Sequence, residues 1–167
     1  MKIDSMASEG PSAFNGKVVE EKPYSINLAY AGFLSRFIAF AVDLMIIAIF
    51  LNIVIPVAGL FVTNIHGDGA LGGGYILISM LFSNAVFVAY FTWFHTETGM
   101  TPGKRLLGIR VVGQFSAEVG ISRALFRSLG YYLSFFPFFA GFLWVFISPT
   151  AESWHDKLAG TAVVESD

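Results

Sequence analysis

The residues with the greatest chemical potential in this chain are charged side chains that interrupt very apolar segments. Asp43 lies inside the apolar run 39–47, where an aspartate at a helix centre costs about 2.5–3.5 kcal/mol on membrane-insertion scales. Arg36 precedes it by seven residues, a spacing that returns a helix to within about 20° of the same face. A carboxylate and a guanidinium on one face can bind a cation or a proton in turn, or they can stabilise the fold.

A direct ion pair between Arg36 and Asp43 is not expected. The two residues are separated by about 10 Å along a helix axis, and helical side chains lean toward the amino terminus, so that Arg36 leans away from Asp43. We therefore expect Asp43 to use another partner. The candidates are the cationic side chains of Lys104, Arg105 and Lys157, or the backbone amides at the start of a helix.

The segment Thr101-Pro102-Gly103-Lys104-Arg105 has two interpretations. In the first, Thr101 caps a short helix, Pro102 takes its first position, and the two basic residues lie at the membrane surface. In the second, Lys104 or Arg105 neutralises a carboxylate in a vestibule at the end of the helices. The sequence leaves both open.

The turn His155-Asp156-Lys157 also has two interpretations. Asp156 can cap the turn that leads into the last strand while Lys157 extends toward lipid phosphates. Alternatively, the imidazole and the carboxylate exchange protons near neutral pH.

Composition indicates that these groups lie in a membrane protein. The 167 residues are 55% hydrophobic and 13% charged, with a mean hydropathy of +0.67, whereas soluble domains carry about 25% charged residues. The formal charge of −2 argues against a general basic surface for nucleic acid. The absence of cysteine excludes disulfides and thiolate metal sites.

Three segments lack Asp, Glu, Lys and Arg: 44–64, about 69–96, and 128–151. A span needs about 20 apolar residues, so the cores at about 37–62 and 75–94 predict two transmembrane helices. The third segment is interrupted by Pro137, which removes a backbone donor and clashes with the preceding turn. It is expected either to cross the membrane as a kinked helix or to return as a re-entrant hairpin.

Two β-branched stretches, 108–112 and 160–164, are predicted to pair as strands. Pairing requires both on one side of the membrane, so we favour the returning hairpin. The basic residues lie before the first helix and after the second, with none in the loop between them, which predicts a cytoplasmic amino terminus. The predicted fold class is thus an all-α membrane protein with a small two-stranded cytoplasmic element, built from a tail at 1–28 and a membrane domain at 29–165.

Residues 121–129 have the spacing of an interfacial helix. Arg123 and Arg127 are four apart and share one face, opposite an apolar side formed by Ile121, Leu125 and Leu129. Basic residues at this level can hold anionic lipid head groups. The predicted head-group contacts are Arg123, Arg127 and Lys157.

The other motifs in the sequence give little support for a nucleotide, metal or catalytic site. Gly67–Gly72 matches the glycine spacing of a dinucleotide site but follows a helix rather than a strand, and 99–104 is too short for a P-loop. The histidines are too dispersed for a metal site, and no nucleophile–base set emerges. We therefore predict no enzyme activity, no catalytic or metal-ligating residues, no cofactor and no nucleic-acid partner.

Three polar residues of the spans have ordinary structural interpretations. His95 is expected to mark the end of the second helix, where polar groups meet water. Asn52 and Asn84 are expected to form hydrogen bonds between helices.

Taken together, Arg36 and Asp43 of the first helix, the motif at 101–112, Arg123 with Arg127, and the motif at 155–164 resemble the RDD family of bacterial membrane proteins. The family is named for one arginine and two aspartates, which here match Arg36, Asp43 and Asp156. The resemblance covers roughly residues 28–165 and implies a multi-pass protein of the bacterial inner membrane. It also implies a role in transport, with an association with sodium–proton exchange.

The first functional expectation is therefore cation or proton transport. The candidate cluster comprises Arg36, Asp43, Lys104, Arg105, His155 and Asp156. Because two or three spans are few for a solitary carrier, transport would require a homo-oligomer or a partner in the lipid bilayer. The alternative is an accessory or assembly subunit of a larger membrane complex, in which the same charges stabilise the fold.

Overall fold

A computed structural model describes residues 28–67, 72–114, 116, 118–137, 140–149 and 151–166. Two long helices dominate it: α1 covers Phe33–His66 and α2 covers Gly73–Glu97. Both are long and apolar enough to cross a membrane, which confirms the two predicted spans. With 34 residues, α1 is roughly 50 Å long at 1.5 Å per residue. It therefore exceeds an apolar core of about 30 Å.

Residues 1–27 of the predicted tail at 1–28 lie outside the described residues, and so does the centre of the glycine motif at 68–71.

The third hydrophobic segment is bent. Helix α4 covers Ile121–Phe135, and the short helix α5, Ala140–Leu143, continues into a 3₁₀ turn at Trp144–Phe146. The two parts meet at 109°, with Pro137 between them. A bend at this position agrees with the loss of a backbone donor at proline.

One side of α4 is buried and the other is exposed. The buried side consists largely of small and polar residues: Ala124, Arg127, Ser128, Gly130, Tyr131 and Ser134. The apolar residues Ile121, Leu125 and Leu129 are exposed. This arrangement is the inverse of a helix in water and is the one expected where the surrounding solvent is lipid.

Strands β1 (Ile109–Gly113) and β2 (Thr161–Glu165) form an antiparallel pair in which Val111 faces Val163. The predicted pairing is confirmed, one residue further along each strand than expected. Because β1 precedes the bent segment and β2 follows it, the chain returns to the end of the helices from which it departed. Tyr30, just before α1, bridges to Val164 and fixes the strands to the start of α1.

Two short helices complete this end of the molecule: α3, Pro102–Leu106, and α6, Trp154–Ala159. We call α3, β1, α6 and β2 the polar cap. Its helices α3 and α6 lie very close to α1 and α4, respectively. A Cβ at Gly103 would overlap the carbonyl oxygen of Ala39 in α1, and one at Gly130 of α4 would lie 2.9 Å from Cβ of His155 in α6. Glycine at these positions allows the cap to contact the helices directly.

Candidate functional site

Asp156 is at the centre of the charged residues and first of all caps its own helix. Ser153 is the N-cap of α6, and Asp156 is the third residue of that helix. The backbone amide of Ser153 donates to Asp156 Oδ2 at 3.0 Å, and its hydroxyl donates to the same oxygen at 2.5 Å. This is a capping box in which an aspartate replaces the usual glutamate. The side chain of Asp156 thus caps the start of α6, whereas the sequence interpretation placed its cap at the turn into the last strand.

The same carboxylate pairs with two arginines. Arg36 Nη1 donates to Asp156 Oδ2 at 3.1 Å, while its Nη2 donates to the carbonyl oxygen of Val163 at 3.0 Å and its Nε to that of Ala31 at 3.1 Å. A planar guanidinium is suited to such a fan of acceptors. Arg36 thus connects α1 to both α6 and β2.

The second arginine is Arg127 of α4. Its Nη1 donates to Asp156 Oδ1 and, at 2.8 Å, to the hydroxyl of Thr161. Only 1% of its surface is exposed. Arg127 is therefore not at the surface, where the head-group prediction placed it, because the polar side of α4 is the one that packs inward.

Asp43 has a separate set of partners, all of them neutral. Its Oδ1 accepts from the backbone amide of Gly103 at 2.8 Å and from the hydroxyl of Tyr90 at 2.9 Å, and its Oδ2 accepts from the hydroxyl of Thr101. The expected absence of a direct Arg36–Asp43 pair is confirmed within the described residues. Of the partners predicted for Asp43, the structure selects an amide at a helix start rather than Lys104, Arg105 or Lys157.

Thr101 caps α3 as predicted. Its hydroxyl oxygen accepts from the backbone amide of Lys104 at 3.3 Å, and Pro102 takes the first helical position. The Thr101 hydroxyl also donates its own hydrogen to Oδ2 of Asp43. The cap of α3 and the buried carboxylate of α1 are therefore parts of one hydrogen-bond network.

Lys104 is buried rather than at the surface, with 6% of its area exposed. Its Nζ lies 2.8 Å from Nε2 of His95 and 5.9 Å from the centre of the Phe91 ring. Burial first, and then the positive charge of Arg127, lowers the pKa of Lys104 to about 7. His95 lies in the last turn of α2, as expected, but it is fully buried and so does not meet water there.

His155 lies between two hydroxyls. Its Nδ1 is 3.0 Å from Oγ of Ser134, and its Nε2 is 2.9 Å from Oγ of Ser153. Burial lowers the pKa of His155 to about 3, against an opposing effect of Asp156. The pKa of Asp156 is lowered too, since the charge of Arg127 and of its other neighbours outweighs the effect of burial. The lowered pKa of both groups argues against proton exchange by this pair near neutral pH.

The other predicted residues are more peripheral. Arg105 and Lys157 are exposed, Arg123 is half-buried, and Lys157 Nζ lies 5.5 Å from the centre of the Trp144 ring. Asn84 accepts a hydrogen bond from the Tyr132 hydroxyl of α4 at 2.8 Å, which confirms its interhelical role. The side-chain amide of Asn52 donates instead within α1, to the carbonyl oxygen of Ala48 at 2.8 Å.

Several residues of the network were not predicted from the sequence: Tyr90, His95, Ser153 and Thr161 as partners, and Arg127 as the central cation. One signal was available for Ser153, because Ser-x-x-Asp before a helix is the pattern of a capping box. Among the described residues, no group of three His, Asp or Glu side chains is arranged to hold a metal ion.

A model of the RDD family matches residues 30–160 of the chain, which is most of its 167 residues. Neither curated proteins nor solved structures give a match. The matched segment begins just before α1 and ends just before β2. It therefore contains Arg36, Asp43 and Asp156, the residues on which the resemblance to this family depends.

Proposed function

Since this chain belongs to the RDD family, we propose that it is a subunit of a larger membrane assembly, either a homo-oligomer or a complex with other proteins. In this proposal, the ionic network joins the polar cap to the membrane helices. The observation that supports this role of the network is that protein donors already form hydrogen bonds to both oxygens of each buried carboxylate. Asp156 accepts from Arg36, Arg127 and Ser153, and Asp43 from Tyr90, Thr101 and Gly103.

A carboxylate that binds and releases a cation in turn needs oxygen lone pairs that are free in one state. Here each carboxylate is already surrounded by donors, and a hydrogen bond to an ionised group contributes about 1.5–3 kcal/mol. Displacing these donors would release the cap from α1 and α4. The geometry thus favours a structural use of Asp43 and Asp156 over their use as a cation site.

The long helices supply the surface for assembly. In the most apolar window of each, 17% of the residues of α1 and 6% of those of α2 are buried, so most residues of these windows are at least partly accessible to lipid or to other helices. Within a bilayer, such surfaces associate through packing and occasional polar contacts.

We assign the assembly to the cytoplasmic membrane of a bacterium, with the amino terminus and the polar cap on the cytoplasmic side. Lys104, Arg105, Arg123 and Lys157 all belong to the end of the molecule where α1 begins and α2 ends. Retention of lysine and arginine near span ends on the cytoplasmic side supports this orientation.

The test is the level and size of the protein in the membrane. Asp43→Asn and Asp156→Asn should each reduce its abundance, whereas Glu97→Gln, which changes an exposed carboxylate, should not. In mild detergent the unaltered chain should run larger than a monomer, and cross-links should connect it to itself or to defined neighbours. A stable monomer without cross-links, or full abundance of both aspartate variants, would contradict the proposal.

A second candidate function is proton-coupled cation transport, and one observation favours it. Lys104 and His95 form a buried pair of bases 2.8 Å apart, and the pKa of Lys104 is close to neutral. Such a pair can hold one proton between two nitrogens and release it at physiological pH. In this proposal Lys104, not a carboxylate, carries the proton, and the ion path is completed by other copies or partners.

Proteoliposomes containing the full chain separate the two functions. Transport predicts proton flux that depends on a sodium or potassium gradient, is lost in Lys104→Met and is kept in Lys157→Met, with both variants reconstituted to equal levels. Flux equal to that of empty liposomes would reject the transport proposal and leave the subunit proposal intact.

A further inference from the structure

A small cavity of about 50 Å³ lies where α1 and α4 meet the polar cap. Its polar wall contains three cationic side chains, Arg36, Lys104 and Arg127, together with Ser153 and His155. No carboxylate is among the described residues that line it. The cavity has room for several water molecules, because about 10–15 Å³ of cavity volume is enough for one water.

The opposite wall of the cavity is apolar and leads to the exposed start of α1. It includes Phe33, Phe37 and Phe40 of that helix. Phe37 is 55% exposed. Phe146 is also mostly exposed, and its ring centre lies 4.7 Å from that of Phe33. The cavity therefore has a cationic inner end and an aromatic wall at a surface that lipid would surround.

We propose that this cavity binds the phosphate of an anionic phospholipid, with Arg36, Lys104 and Arg127 as its cationic contacts and the phenylalanines beside the first acyl carbons. The proposal does not depend on the subunit role, since it concerns a ligand of the single chain.

The charge balance of the lining supports an anion. Arg36 and Arg127 share one carboxylate, that of Asp156, so this triad retains one positive charge. Asp43, the nearest carboxylate to α3, is satisfied by neutral donors and the amide of Gly103 rather than by a cation. The buried carboxylate of Glu152 also acts on Arg36, but it is not among the described residues that line the cavity. An anion in the cavity would therefore face cationic side chains and no carboxylate of the described lining.

Donor capacity points the same way. Nε of Arg127 is buried without a hydrogen-bond acceptor among the described residues. Lys104 Nζ has a described acceptor in His95 Nε2, whereas an ammonium carries three hydrogens. Phosphate oxygens are strong acceptors, and their bonds to guanidinium and ammonium groups are charge-assisted.

The test uses the full chain purified in mild detergent and titrated with dioctanoyl phosphatidylglycerol, dioctanoyl phosphatidylcholine or inorganic phosphate. Binding is read by native mass spectrometry and by the shift in thermal stability. The anionic lipid should bind more tightly than the zwitterionic one. Inorganic phosphate should bind more weakly than the anionic lipid, since it lacks the apolar contacts.

Two matched pairs of variants locate the site. Lys104→Met should weaken phosphatidylglycerol binding about tenfold, the effect of losing about 1.4 kcal/mol, while Lys157→Met, at an exposed lysine, should not. Phe37→Glu adds a negative charge to the cavity wall and should weaken binding more than the uncharged Phe37→Gln. The second pair leaves the ionic network intact, so it remains informative if Lys104→Met fails to fold.

Equal affinity for the two lipids would overturn the proposal, as would equal effects of the variants within each pair. Binding of inorganic phosphate without binding of phosphatidylglycerol would overturn the lipid assignment and make the cavity a site for a soluble oxyanion.

Discussion

Arg36 and Asp43 lie seven residues apart on α1, yet they bind different parts of the polar cap. Arg36 reaches Asp156 and the carbonyl oxygen of Val163, whereas Asp43 accepts from Gly103 and Thr101. One helix thus holds α6 and β2 with a cation and α3 with an anion. Both side chains reside near the start of α1, where partners from the cap replace the water that lipid would remove.

Removing the shared carboxylate should strongly destabilise the fold. In Asp156→Asn, Arg36 and Arg127 remain buried without their anion, and breaking a buried pair in this way costs about 3–5 kcal/mol. The free energy of unfolding in detergent should fall by this order, while Glu97→Gln should change it by less than about 0.5 kcal/mol. A fall of similar size in both variants would show that the loss is not specific to the network.

The contact between α3 and α1 depends on glycine at position 103. A Cβ there would overlap the carbonyl oxygen of Ala39 and come within 3.0 Å of Cγ of Asp43. Gly103→Ala should therefore destabilise the protein by about 1–3 kcal/mol or more, as overpacked sites do. Thermal unfolding of the purified variant measures this directly.

The matched control is Gly74→Ala, inside α2, where an added Cβ meets nothing within 4 Å. Alanine favours a helix over glycine by up to about 1 kcal/mol, so this variant should be neutral or slightly more stable. Equal behaviour of the two alanine variants would contradict the close packing of α3 on α1.

The sequence was sufficient for the parts of the fold that depend on local chemistry. Uninterrupted apolar segments predicted α1 and α2, Pro137 predicted the bend, and β-branched stretches after glycine predicted the strand pair. The lean of Arg36 away from Asp43 is also a local property of the helix, and it correctly excludes their direct pair.

The environment of each charge was less predictable, because it depends on which helix faces pack together. The spacing of Arg123 and Arg127 places them on one side of α4, but it does not say that Ser128, Tyr131 and Ser134 make this side the buried one. The low pKa of His155 likewise results from burial against α4, which its own neighbours in sequence do not reveal.

The arginines of α4 provide a direct test of that difference. Arg127→Lys should lose the joint contact of one guanidinium nitrogen with Asp156 and Thr161, since a single ammonium on a flexible stem does not reproduce the planar fork. A loss of roughly 2–4 kcal/mol is expected for a damaged buried pair. Arg123→Lys, one helical turn earlier and half-buried, should cost less than about 0.5 kcal/mol.

Chemical denaturation of both lysine variants in the same detergent measures these differences. If Arg123→Lys were the more damaging change, the buried position of Arg127 and its pairing with Asp156 would be wrong.

Lys104 should make stability depend on pH in the alkaline range. Its pKa falls from 10.5 in an exposed lysine to about 7 in the folded chain, so between these values the unfolded chain binds more protons than the folded one. The free energy of unfolding should then rise with pH across this window, by up to about 1.4 kcal/mol per pH unit, and this contribution should be constant below it. Four charged residues act on the pKa of Lys104 besides burial. The like charges of Arg127 and Arg36 lower it, and the opposite charges of Asp43 and Asp156 raise it.

The contribution of Lys104 is obtained by subtraction. Unfolding free energies of the unaltered chain and of Lys104→Met, measured from pH 6 to pH 10, should diverge as the pH rises, because methionine has no proton to lose and other titrating groups cancel. Lys157→Met, an exposed control, should run parallel to the unaltered chain. Parallel curves for Lys104→Met as well would mean that Lys104 keeps an ordinary pKa. The His95–Lys104 pair would then keep its proton at neutral pH and could not release it in a transport cycle.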